Sequence, residues 1–492
     1  MGARCQGYRR ASRPVEVHLG EGARSRRSQA RVDAALVLLI KAAVEPGGRV
    51  ATGPPGHLQI HKKPGRSSVS CRQSLQPAEL PTTPYRAAGL RYKNWVFVSG
   101  TMATDFKTGL PASARANDAL PLAGEHVMIR ETRFIFETLG AVLRAGGTTM
   151  DQAVRIDSFP TTRDAIDPYH VVRREFMDPP RPASTSVAVD ALLAPQASTQ
   201  VELVAIVPQD DLKKEGIDTD RIPQPLGGYS PAVVAGDFVF LAGQVPTDWK
   251  TGVAPEAKVD PNFWEGNQID RQARLTLKNM AITLEAAGSS LEDVVKVQVY
   301  LADITDVPRF DRVWREFFPK DAPARTIYPI RALGVTGGRI EINFVALRTG
   351  GKTRKQVIST PEARHSPFGE TQAVRAGDFL FLSGLMAVDD DGLVAAARAN
   401  PAYPHDRDPA AAQMSDIMEQ AQAICRAAGT DLKNAVRMLT VHTDLSESFR
   451  AATAASPFFP DGPPATTTVG VQAPLQAEEA TIMVDLWVAM SA

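Results

Sequence analysis

The eighteen residues AAGSSLEDVVKVQVYLAD, 286–303, contain a helix end and the strand that follows it. Upstream, apolar residues recur at Ala273, Leu277, Met280, Leu284 and Ala287, steps of four and three that form one helical stripe until Gly288 ends it. Downstream, Val295, Val297, Val299 and Leu301 alternate with Lys296, Gln298 and Tyr300, the period-two signature of a strand with one buried face. The same pattern occurs three times. Gly147, Gly288 and Gly429 fall 141 residues apart, as do Val154, Val295 and Val436. Further on, Ser184, Arg325 and Thr466 keep the step, so a guanidinium in the middle unit faces hydroxyls in the other two.

Working outward, the middle unit opens with FVFLAGQ (238–244) and a polar turn PTDWKTG (246–252), matched by VFVSGTM (96–102) and ATDFKTG (103–109). A hairpin-like start is predicted. PRFDRVWREFF (308–318) reads as a second helix, and RTIYPIRAL (325–333) and RIEINFVAL (339–347) as closing strands. In the last of these, Glu341 and Asn343 face away from Ile340, Ile342 and Phe344, which puts Glu341 on the exposed side. The unit is therefore α+β, a mixed sheet backed by two helices. Polar linkers at 208–223 and 349–363 divide the chain into domains of 80–207, 224–348 and 364–492. Each sheet has one face without helices, and sibling units are the nearest cover, so an intramolecular pseudo-trimer is expected.

Residues 1–79 have no counterpart in the repeats. They carry eleven Arg and three Lys against five acidic residues, a balance of +9 that leaves −9 on the rest of a formally neutral chain. They read as a disordered basic extension, although an Arg-rich start also fits an organelle transit peptide or an over-extended gene start. With 43% hydrophobic and 22% charged residues the remainder is globular in type. The longest apolar run, 32–40, is too short to span a bilayer. Three cysteines at unrelated positions suggest neither disulfides nor a metal site and fit a reducing, cytoplasmic setting. Among the histidines only His57 and His61 are closely spaced, and GGKT at 350–353 lacks the first glycine of a phosphate loop. Metal and cofactor are both predicted to be absent.

The blocks GGYSPAVVAGDFVFLAGQVPTDWKTG, AAGSSLEDVVKVQVYLAD, FDRVWREFFP, APARTIYPIRAL and IEINFVAL together resemble the RidA/YjgF family of enamine/imine deaminases. The first unit matches more weakly and the third is more divergent. The resemblance implies a chorismate-mutase-like α+β fold in each unit and active sites at clefts between units. It also implies substrate binding by Arg325, Thr326 and Gly243, with Tyr229 and Glu341 as catalytic residues. Asp311 stands where the family has asparagine, and Ile327 where it often has cysteine. The positions corresponding to Tyr229, Arg325 and Glu341 are read as Arg86, Ser184 and Glu202 in the first unit, and as Glu370, Thr466 and Met483 in the third. Neither outer unit keeps the guanidinium at the substrate position, and both read as silent.

An arginine fork suits a substrate carboxylate, since it makes two parallel charge-assisted hydrogen bonds. A carboxyl group of raised pKa suits proton transfer to an imine nitrogen. The implied activity is hydrolytic deamination of 2-aminoacrylate or 2-iminoalkanoate intermediates to 2-oxo acids and ammonia, with a small imino or enamino acid as partner. Further self-association is left open. A non-catalytic metabolite-binding or interaction scaffold is a second class, since two units of three lack Arg. A third, RNA cleavage or translation inhibition, is opposed by the −9 charge of the body, as are nucleic-acid partners in general. No membrane partner is expected.

Overall fold

A polypeptide repeating one pattern at a 141-residue step should fold as copies of one unit, and it does. The computed structural model describes residues 72–491 except 84, 117–118, 121–122, 261, 263–266, 401 and 404–406, all within one compact unit of the chain. The readings made for residues 1–71, including His57 and His61, lie outside the described residues.

One succession recurs three times: three antiparallel strands, a long helix, a strand, a short helix, and two more strands, with a two-residue strand between these last in the first and second copies. The helix pairs are α1 (Val127–Ala145) and α2 (Ile166–Phe176), α3 (Gln268–Ala286) and α4 (Val307–Phe317), and α5 (Pro409–Ala427) and α6 (Ser448–Ala455). In the middle copy the sheet order is 324–329, 294–301, 340–347, 238–241, 232–235, 214–217. Strands 294–301 and 324–329 run parallel and the other pairs antiparallel, so the sheet is mixed as predicted. Asn267 caps α3 by accepting the Ile269 amide at 2.9 Å, and Gly288 ends it at φ +70°, a left-handed conformation that glycine adopts without steric cost. The stripe Ile269, Ala273, Leu277, Met280 and Leu284 is buried against the sheet.

Two expectations are corrected. Arg72–Leu75, Lys214–Ile217 and Lys355–Ile358, read as extension or linker, are the first strands of the three copies, each paired antiparallel with the next strand. Their polar letters concealed them, because ladder hydrogen bonds are made by backbone and demand no apolar side chain. Glu341 is not on an exposed face: all eight residues of Ile340–Leu347 and of Val294–Leu301 are buried. The polar face of each sheet turns toward the other copies.

Contacts between copies recur at equivalent places. Ala332–Leu333 of the second copy pairs with Val187–Ala188 of the first, and Ala191–Leu192 of the first with Val469–Gly470 of the third. The Gly243 amide donates to the Ser184 carbonyl at 3.0 Å, and the Gly384 amide to the Arg325 carbonyl at 3.0 Å. The Gly100 amide donates to Thr467 Oγ1, also at 3.0 Å. Trp95, Phe238 and Phe379, one from each copy, form a triangle with centroid separations of 5.6–5.7 Å. A buried polar layer accompanies it. Arg155, Lys296 and Arg437 share the 141-residue step and are at most 4% exposed. Arg155 pairs with Asp157 at 2.7 Å and with Gln298 of the second copy. Lys296 reaches Asp485 of the third copy at 2.9 Å, and Arg437 reaches Glu202 of the first. Pairing of this kind is what makes buried ions tolerable.

Candidate active site between the first and second copies

The five residues singled out in the sequence divide between two clefts. Arg325 and Thr326 face the third copy. The Arg325 guanidinium, 4% exposed, meets Asp311 on α4 at 2.6 Å and Glu370 of the third copy at 3.0 Å. It lies 5.0 Å from the Trp314 ring centroid, beside a cavity of about 90 Å³ lined also by Phe318 and Phe368. Thr326 Oγ1 accepts from Lys296 Nζ at 2.8 Å, so it serves the buried polar layer. Glu370 occupies the third-copy position that corresponds to Tyr229, and Met483 lies where the second copy has Glu341. Two carboxyl groups thus share one guanidinium in a cleft that brings neither Glu341 nor Tyr229 to it.

Gly243, Tyr229 and Glu341 face the first copy. A Cβ on Gly243 would come within 2.0 Å of Glu341 Oε1, so the glycine is what lets that carboxyl lie against the backbone. Glu341 is 5% exposed, and burial pushes its pKa up to about 8, against a hydrogen bond from the Ser186 amide and with Asp157 adding to the rise. Burial, with the Glu341 charge, also pushes the Tyr229 hydroxyl well up, so it stays a proton donor.

The first copy answers this half-site with Arg173, which was not singled out in the sequence. It lies on α2 and is fully buried. Its Nη1 donates to Ser184 Oγ at 2.7 Å and its Nη2 to the Gly227 carbonyl at 2.6 Å. Its guanidinium carbon is 5.5 Å from the Tyr229 ring centroid. Among the described residues it makes no ion pair, and its Nε has no hydrogen-bond partner. His170, one turn earlier, stacks on Tyr229 at 6.5 Å, and burial with the Arg173 and Arg174 charges lowers its pKa to about 3, leaving the ring neutral. The strand position of the first unit is Ser184, as read from the sequence, but a guanidinium lies beside it on the helix. The signal was present, since Tyr169, Val172, Arg173 and Phe176 form a helical stripe in which a charge is out of place.

A second correction concerns Glu202. Asp157 pairs with Glu202, whereas Gln298, its counterpart 141 residues on, pairs with Asn343. Glu202 therefore corresponds to Asn343, and the first-copy counterpart of Glu341 is Gln200, whose amide lies 2.4 Å from a Cβ built on Gly100. In the cleft between the third and first copies Arg86 Nη1 donates to the Gly100 carbonyl, and Thr466 and Thr467 stand opposite. That cleft has Gln200 at the position of Glu341.

The profile of the Endoribonuclease L-PSP family matches residues 76–207 and 219–348, more than half of the chain. The chain belongs to this family. Its membership agrees with the RidA/YjgF resemblance and with repeated units. A RutC family protein of Pyrococcus horikoshii is 42% identical over 120 residues, covering 24% of this chain and 87% of that protein. The human 2-iminobutanoate/2-iminopropanoate deaminase is 34% identical over 132 residues, covering 27% of this chain and 88% of its own length. The chloroplastic Reactive Intermediate Deaminase A of Arabidopsis thaliana is 33% identical over 140 residues, covering 28% of this chain and 69% of that protein. The two L-PSP matches cover the copies that meet at the Glu341 cleft. Among the described residues no helix is long and apolar enough to cross a membrane, and no group of three or more His, Cys, Asp or Glu could hold a metal ion.

Proposed function

We propose that the protein hydrolyses 2-imino or 2-enamino acids to 2-oxo acids and ammonia, with the three copies forming an intramolecular pseudo-trimer and Glu341 as its acid/base. The observation that carries this reading is the Glu341 carboxyl, buried against Gly243 and holding its proton up to about pH 8. An imine nitrogen needs a proton as water attacks the adjacent carbon. The water oxygen bonds to that carbon while the C=N electron pair takes the Glu341 proton, and the spare proton of the water returns to the carboxylate. Collapse of the carbinolamine then breaks the C–N bond as the hydroxyl proton passes through Glu341 to the departing nitrogen, leaving the 2-oxo acid and ammonia; a 2-enamino acid enters as its imine tautomer. Tyr229 orients substrate or water through its hydroxyl. Names of relatives such as the human deaminase agree with this chemistry. The test is an amino-acid oxidase coupled to imine disappearance, in which Glu341→Gln should lose about 10²–10⁴-fold in turnover. Unchanged turnover would remove the assignment.

A non-catalytic role is favoured for the Arg325 cleft by one observation: Glu370 and Asp311 already hold the guanidinium there.

A further inference from the structure

We infer that Arg173 is the substrate-carboxylate anchor of this protein, and that the cleft retaining the strand arginine, Arg325, is closed to anions by the chain's own Glu370 and Asp311. The inference rests on the imine-hydrolysis reading and assigns its recognition residue.

The two short helices superpose in sequence, IDPYHVVRREF on VPRFDRVWREF, so that Arg173 takes the step of Trp314 and His170 that of Asp311. In the second copy the helix supplies an indole and the strand a guanidinium, which pack together at 5.0 Å. In the first copy the helix supplies the guanidinium and the strand a hydroxyl, which hydrogen-bond at 2.7 Å. The cation is retained while its backbone attachment moves.

What differs is the company each cation keeps. Arg325 has two carboxyl groups on it and carries no positive excess toward a ligand. Arg173 is buried with only neutral partners, Ser184 and the Gly227 carbonyl, and with an orphaned Nε. A buried cation lacking a counter-ion is costly, and a bound carboxylate supplies one in a fork geometry that guanidinium matches. The nearest acid chemistry reinforces this choice, because Glu341 holds its proton near neutrality and does not neutralise the site. A small monoanion is therefore the ligand these charges call for. Gly227 sits beside Gly228, at φ +68°, on the loop that carries Tyr229, so a carboxylate replacing the Gly227 carbonyl on Nη2 would shift that loop.

The test is calorimetric titration of the full chain with pyruvate, alongside imine kinetics. Arg173→Met should weaken pyruvate binding and raise KM by about 10- to 100-fold, the range of a lost charge-assisted pair, with a smaller effect on kcat. Thermal melts establish that the variant is folded. If it is not, the rearranged pair Arg173→Met with Ser184→Arg, which returns the guanidinium to the strand, should fold and bind pyruvate. Pyruvate binding retained in folded Arg173→Met, or absent from the folded rearranged pair, overturns the inference. So does binding lost in Arg325→Met and kept in Arg173→Met. These outcomes are separate from the reaction itself: absence of imine turnover in the parent protein would remove imine hydrolysis while leaving pyruvate binding by Arg173 intact.

Discussion

Glu370 Oε1 lies 3.0 Å from Arg325 Nη2 across the boundary between the second and third copies, at the repeat position held by Tyr229 in the second. An acidic side chain thus stands against the cation that a substrate carboxylate would otherwise meet. With Asp311 on the other terminal nitrogen, both Nη1 and Nη2 carry a carboxylate partner. Replacing both partners by neutral isosteres, Glu370→Gln with Asp311→Asn, should release it. The expected outcome is one additional pyruvate site per chain by calorimetry, with no new imine turnover, because Met483 occupies the place of the acid.

Glu341 sets a pH signature on stability. Its native pKa of about 8 lies above the ordinary 4.5, so between these values the folded state holds a proton that the unfolded state has released. Stability from this group is therefore full below about pH 4.5 and declines as pH rises toward 8, by up to about 1.4 kcal/mol per pH unit. Asp157, the Ser186 amide and Tyr229 are the groups that face it. Denaturant melts from pH 5 to 9 should show this decline in the parent protein and a flatter profile in Glu341→Gln. An unchanged slope in the variant would locate the proton elsewhere.

Gly243→Ala tests the closeness of backbone and acid. The new methyl would need the space of Glu341 Oε1, 2.0 Å away, so the carboxyl must rotate out of its place. Turnover should fall by at least about tenfold through misalignment of the acid, while overpacking costs about 1–3 kcal/mol. Kinetics and melts on the same preparation separate the two effects.

Lys296→Met leaves Asp485 without its 2.9 Å cationic partner in the buried layer between copies. Arg437 stands farther off, at 3.5 Å. Breaking a buried pair on one side costs about 3–5 kcal/mol, which urea denaturation would read directly. The added replacement of Asp485 by Asn should recover part of that loss.

The repeat and its α+β content were legible because Gly288 and the alternation of 294–301 recur at a constant step. The residues of the site were legible only in part. Glu341, Gly243 and Tyr229 do share a cleft, but Arg325 was grouped with them because it belongs to the same copy, whereas each cleft is built from two copies. Arg173 was missed because repeat-register reasoning compares like positions, and its guanidinium had moved from strand to helix. Glu202 was matched to Glu341 by letter, while strand pairing offsets them by two residues. The strands at 72–75, 214–217 and 355–358 were invisible because backbone pairing, not side-chain character, places them.

Joining three copies by peptide bonds means that each corner of the Trp95–Phe238–Phe379 triangle answers to its own codon. A self-associating subunit would repeat any change at all three corners, so one tryptophan with two phenylalanines is a combination that identical subunits cannot make. The same freedom extends to every boundary between copies, where one interface can specialise in chemistry while its siblings drift toward holding the molecule together. Copies joined by peptide bonds also stay together on dilution.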